Sequence, residues 1–126
     1  MTFKNKRILV ADDSQTMRMF LLFHLMKMLP GVRVTEAVNG ADALAKVACQ
    51  DVDLILTDMN MTELDGAGLI RGVRNALKKD TPIIIITTRG EREDRDRGIT
   101  LGANGCITKP LNVHEFRDTI LKFIRR

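Results

Sequence analysis

The 126-residue chain has no tryptophan and no tyrosine, and only five phenylalanines. That excludes a surface that stacks exposed bases on large rings. Cysteine is almost missing too. Cys49 and Cys106 stand alone, in neither a metal-ligand nor a redox spacing. Proline occurs three times, and no Pro/Gly/Ser-rich stretch marks a linker. No apolar run approaches the ~20 residues that a membrane span needs. The opening Met1-Thr2-Phe3-Lys4-Asn5-Lys6-Arg7 has neither the apolar centre nor the small-residue cleavage site of an export signal. A cytoplasmic protein with reduced thiols is expected, with no membrane contact. Charge of one sign is also lacking. The net charge is +4, but bases alternate with acids, as in Glu91-Arg92-Glu93-Asp94-Arg95-Asp96-Arg97. This pattern reads as a solvated surface, and no direct nucleic-acid binding is expected.

What is present is enough apolar material, 44% of residues, for one continuous core, and residues 1–126 read as a single domain. Five short apolar runs alternate with helical segments: Arg7–Ala11, 32–37, 52–57, 83–87 and 105–108. The first, third and fourth are apolar throughout, as strands buried on both faces are. The second alternates, which suits an edge strand. Between them, helices are predicted over about 15–29, 41–48, 66–77, 91–101 and 112–124. Ser14 and the Asn112-Val113-His114-Glu115 start supply N-terminal caps. Strand–helix alternation repeated five times predicts an α/β fold with a doubly wound parallel sheet. In such sheets ligands bind at the carboxyl ends of the strands.

Chemistry-bearing residues cluster at those ends. The first strand leads into Asp12-Asp13, the third into Asp58, the fourth into Thr87-Thr88 and the fifth into Lys109-Pro110. Singly, each has a plain structural explanation, such as a helix cap, a solvated lysine or a strand threonine. Together they place three carboxylates, a hydroxyl and an ammonium on one rim. Clustered carboxylates ionise cheaply only beside a cation, and oxygen-only ligands point to Mg²⁺, with Mn²⁺ an option. A hard cation beside a carboxylate nucleophile and a lysine is the equipment of phosphoryl transfer.

Five segments, in order, carry a family resemblance: Val10-Ala11-Asp12-Asp13-Ser14, Leu56-Thr57-Asp58-Met59-Asn60-Met61, Asp65-Gly66, Ile86-Thr87-Thr88 and Thr108-Lys109-Pro110. The chain resembles the receiver domain of two-component response regulators, most closely the single-domain chemotaxis type. The likeness runs from Lys6 to about Ile124. It implies a flavodoxin-like (βα)5 fold with a five-stranded sheet in the order 2-1-3-4-5. It also implies a phosphorelay switch, not a conventional enzyme. Asp58 would accept the phosphoryl group from a histidine kinase or a histidine phosphotransfer protein. Asp13, Asp58 and the backbone carbonyl of Asn60 would bind Mg²⁺ directly, and Asp12 through water. Thr87 and Lys109 would contact the phosphoryl group, Lys109-Pro110 would be cis, and the output would pass through the fourth helix, fifth strand and fifth helix. A monomer or weak dimer with an unknown downstream protein is expected.

The chain departs from the family pattern at Thr62, where proline is common, and at Cys106, where Tyr or Phe is usual. Arg89 is read either as a partner of the phosphoryl group or of an acid, or as a solvated arginine. Three other readings compete. A haloacid-dehalogenase-type phosphatase would need an acid two residues after Asp58, where Asn60 stands. A pseudo-receiver would not need the full acidic and basic set. A flavin carrier would need a phosphate loop after the first strand. The first helix adds one expectation. Met17, Phe20, Leu21, His24, Leu25 and Met28 form the stripe expected on the sheet. Met19, Leu22, Phe23 and Met26 lie on the outer face, where the family resemblance places phosphodonor docking, with self-association the main rival use of the patch.

Overall fold

The structure is a computed structural model and describes residues 2–88 and 92–124. Five parallel strands, β1 (Arg7–Ala11), β2 (Arg33–Ala37), β3 (Leu54–Asp58), β4 (Ile83–Thr88) and β5 (Gly105–Lys109), form one sheet in the order β2-β1-β3-β4-β5. Five helices connect and cover them: α1 (Gln15–Met28), α2 (Gly40–Cys49), α3 (Gly66–Arg71), α4 (Arg92–Leu101) and α5 (Val113–Ile124). This is the order and class expected from the sequence.

Local chemistry sets the helix starts. The side chains of Ser14, Asn39 and Asp65 accept hydrogen bonds from the backbone N–H groups of Met17, Asp42 and Gly68. Each satisfies a donor that the first turn leaves unpaired. Asn112 does the same for the N–H of Glu115 before α5. The predicted third helix is continuous to Leu77. Here α3 passes at Gly72 into a π turn over Gly72–Ala76, closed by the N–H of Leu77 on the carbonyl of Gly72.

Alternation along the buried strands splits the core in two. Ile8, Val10, Leu54, Leu56, Ile84 and Ile86 meet Leu21, Leu25, Leu29, Phe116 and Ile120 on one face. Leu9, Ile55, Ile83 and Ile85 meet Ala43, Val47, Leu69, Ile70 and Val73 on the other. The α1 stripe is narrower than the sequence suggests. Leu21 and Leu25, one turn apart, make the buried contact, whereas Phe20 is 41% exposed. Leu22, expected on the outer face, is half-buried, and Val113 at the start of α5 is exposed. On α1 nine of fourteen positions are apolar, so periodicity could not fix its rotation to better than one residue.

The chain runs from β1 out to β2 and returns past β1 to β3, so the connections diverge between β1 and β3. The carboxyl ends of these two strands therefore flank an open crevice. Gly66 keeps the β3 end close to α3. Its N–H donates to the carbonyl of Met59 at 3.0 Å, and a Cβ there would stand 2.5 Å from the Asp58 carbonyl oxygen. Gly66→Ala is expected to cost about 1–3 kcal/mol, as over-packing does, because backbone would have to move. Urea denaturation measures this directly, and an unchanged midpoint would refute the packing role.

Candidate functional site

The crevice is built from four strand ends. Asp12 follows β1 and is almost fully buried. Its N–H donates to the carbonyl of Ala37 at 3.1 Å, and its Oδ1 accepts from the N–H of Ser14 at 2.8 Å. Its carbonyl accepts from Arg18 Nη1 at 2.7 Å, while Arg18 Nε reaches Glu36 at 3.1 Å. The Asp12 backbone is thus clamped between β2 and α1. Asp13, next in the chain, is exposed. Asp58 is the last residue of β3, and its Oδ1 accepts from the N–H of Asn60 at 3.2 Å. One carboxylate oxygen each from Asp12, Asp13 and Asp58 lies within 4.8 Å of the others.

Lys109 ends β5 and brings its Nζ to 3.8 Å from Asp58 Oδ2. The Lys109-Pro110 peptide is cis. Thr87, near the end of β4, is buried, and its Oγ1 lies 3.4 Å from Cys106 Sγ on β5. Asn60 donates through its side-chain amide to Asp94 Oδ2 at 3.1 Å, tying the loop after β3 to the first turn of α4. The predicted residues Asp12, Asp13, Asp58, Asn60, Thr87 and Lys109 thus all belong to the strand ends of one rim. Arg89 lies outside the described residues. Three contacts escaped the sequence analysis: Arg18 on the Asp12 carbonyl, Asp94 on Asn60, and Cys106 on Thr87. All join residues distant in sequence or on different elements.

The electrostatics favour a cation. Burial is the largest influence on both Asp12 and Asp58 and holds their pKa values above the usual aspartate range. Asp13 adds to the rise at Asp12, and Asp12 to that at Asp58; Lys109 and local backbone N–H groups oppose it. A carboxyl whose folded pKa is raised stabilises the fold below its unfolded pKa, and that stability is lost as pH rises through the folded pKa. In chelator at neutral pH, Asp58→Asn is therefore expected to stabilise the protein. The difference should shrink as pH falls through the raised Asp58 pKa and be gone below the ordinary aspartate value. Thermal unfolding across that range checks it, and a destabilised amide variant at neutral pH would contradict it. The donor set fits a hard divalent ion, since the cluster found among the described residues consists of carboxylate oxygens.

A second cleft, of about 730 Å³, opens at the amino ends of the strands beside Arg7, Gln50, Asp53 and Lys79. These four residues are engaged structurally. The N–H of Arg7 donates to Asp53 and its guanidinium to Gln50, and Lys79 donates to the carbonyl of Val47. The converging carboxylates belong to the opposite rim.

Residues 8–121 match the family model described as the response regulator receiver domain. The chain belongs to this family. As a receiver domain it is a signalling switch of two-component systems, not a conventional enzyme, and receiver domains interact with histidine kinases. Over 106 residues it is 40% identical to the sensor protein EvgS of Escherichia coli K12, covering 84% of this chain and 9% of EvgS. It spans about half the length of the transcriptional regulators it matches. Among solved structures, the chemotaxis protein CheY4 of Vibrio cholerae aligns with TM-score 0.83 and 30% identity, over 94% of this receiver and 98% of CheY4. The receiver domain of the sensor histidine kinase PA1611 from Pseudomonas aeruginosa, with a magnesium ion coordinated in its active-site cleft, aligns with TM-score 0.85 and 26% identity, over 96% and 98% of the two chains. No helix among the described residues is long and apolar enough to cross a membrane.

Proposed function

We propose that Asp58 is the phosphoacceptor of this receiver and that residues 1–126 act as one phosphorylation switch. The observation that carries this reading is the meeting of Asp12, Asp13 and Asp58 oxygens with the Lys109 ammonium 3.8 Å from Asp58. An Asp58 carboxylate oxygen attacks the phosphorus of a phosphohistidine. The P–N bond breaks, the imidazole leaves with its electron pair and takes up a proton, and an acyl phosphate forms on Asp58. Mg²⁺, or Mn²⁺ in its place, would be held by Asp13, Asp58 and the carbonyl of Asn60, with Asp12 acting through water. When bound, the ion supplies positive charge opposite the phosphoryl oxygens. Lys109 contributes a second positive charge from β5. Acetyl phosphate replaces the kinase in the simplest test. Label that appears with Mg²⁺ and disappears in chelator supports the reading, and label indifferent to Mg²⁺ refutes it.

Phosphorylation takes Asp58 from one negative charge to about two and adds acceptor oxygens. Thr87 and Lys109 then gain a contact they lack at rest, and this biases a two-state equilibrium. The output passes through α4, β5 and α5 to a downstream protein. The domain works in the cytoplasm, as a monomer or weak dimer.

The phosphodonor docks on α1. Met19, Phe23 and Met26 are each more than half exposed, Phe20 joins them, and Lys27 Nζ lies 5.5 Å from the Phe23 ring centre. Leu22, in the same stretch of α1, is half-buried. Contiguous exposed apolar side chains rich in Met and Phe suit an interface. Phe23→Asp is expected to slow transfer from the cognate kinase at least about tenfold, the loss of one well-packed anchor. Labelling by acetyl phosphate should stay unchanged. Equal loss with both donors, or none with the kinase, would contradict the docking role.

A further inference from the structure

Thr87 is 3% exposed, so its hydroxyl must find its partners inside the protein. Its side-chain partner is the Cys106 thiol, at 3.4 Å. The register explains the contact. Cys106 pairs with Ile85 and Thr108 with Thr87 across β4 and β5, so Cys106 and Thr87 are diagonal neighbours on the ladder. Sulfur forms weak hydrogen bonds in either direction, whereas a bond to an anionic phosphoryl oxygen is charge-assisted and much stronger.

We propose that Cys106 is a positioning residue: its thiol holds the Thr87 hydroxyl at rest and gives it up when Asp58 is phosphorylated. This rests on Asp58 being the phosphoacceptor. The weakness of the thiol bond sets how readily the switch closes. No covalent change occurs at sulfur. A stronger partner at position 106 would retain the hydroxyl and oppose closure, and a position with no partner would release it. A residue that merely filled space would shift the equilibrium in the same direction whichever way it was altered.

The test uses beryllium trifluoride with Mg²⁺ as the phosphoryl mimic. In a Cys49→Ser background, Cys106 is the chain's one thiol. Its infrared S–H stretch should move when the mimic binds, and should not move in the same background carrying Thr87→Val. Apparent affinity for the mimic should rise in Cys106→Ala and fall in Cys106→Ser, each by roughly threefold to tenfold, the range of one hydrogen bond. An S–H band that stays fixed while the mimic saturates the site would overturn the proposal and leave the phosphoacceptor reading standing. So would Ala and Ser variants that shift affinity in the same direction. If the parent chain fails to bind the mimic at all, the phosphoacceptor reading falls and this proposal falls with it.

Discussion

Asp58→Asn is expected to take up no phosphoryl group from acetyl phosphate under conditions that fully label the parent chain. The substitution keeps the shape of the side chain but replaces the carboxylate nucleophile with an amide, whose oxygen does not form an acyl phosphate. The neighbouring acids are poor substitutes. Asp12 is buried, with Oδ1 held by the N–H of Ser14 and its backbone clamped by Arg18 and Ala37. Asp13 is exposed, beyond the end of β1. Of the three, Asp58 is the one that forms an ion pair with Lys109, the cation proposed to meet an incoming phosphoryl oxygen. The effect should therefore be complete. Label on the Asn variant equal to that on the parent would remove Asp58 from its role.

The second large effect concerns the metal. Mg²⁺ at about 100 times its dissociation constant should stabilise the parent chain by ~2.7 kcal/mol through mass action. Asp13→Ala should abolish most of that gain, and Asp12→Ala clearly less. Asp12 already spends one carboxylate oxygen on the Ser14 N–H, whereas no hydrogen bond engages the Asp13 carboxylate among the described residues. Asp13 is therefore the freer of the two to give an oxygen directly to an ion. Thermal unfolding with and without Mg²⁺ separates the variants. The reverse order, with Asp12→Ala the more damaging, would contradict this assignment.

The sequence foretold the strand-end constellation because its parts are local. Each is a short polar signature at the end of a β-forming run, and a doubly wound sheet brings such ends together. Asp12, Asp58, Thr87 and Lys109 could be placed on one rim without coordinates. The strand order 2-1-3-4-5 came from the family resemblance, since periodicity alone leaves the order open. Contacts between elements were not legible. Nothing in Arg18 names the Asp12 carbonyl as its partner, and nothing in Asp94 names Asn60. Cys106 was noticed only for what it replaces. Its bond to Thr87 depends on the β4–β5 register, which no local pattern fixes. The rotation of α1 was blurred for a different reason. With Met17, Met19, Phe20, Leu21, Leu22, Phe23, Leu25, Met26 and Met28 in one helix, the apolar signal wraps almost around it. Packing then chooses the pair Leu21 and Leu25 and leaves Phe20 partly in solvent. His24, expected at the middle of the buried stripe, is half-buried, edge-on to Phe20 and Phe23 at ring-centre distances of 4.5 and 5.3 Å.

In the proposed switch one carboxylate, at the end of β3, carries the signal. The most direct test is site mapping on the unaltered chain. The protein is labelled with acetyl phosphate and Mg²⁺, digested rapidly at low temperature, and the phosphoryl group located by mass spectrometry. The expected result is the phosphoryl mass on the peptide that contains Asp58 and on no other, with none in chelator. A phosphoryl group on the peptide containing Asp12 and Asp13, on a histidine, or on no peptide at all would contradict it.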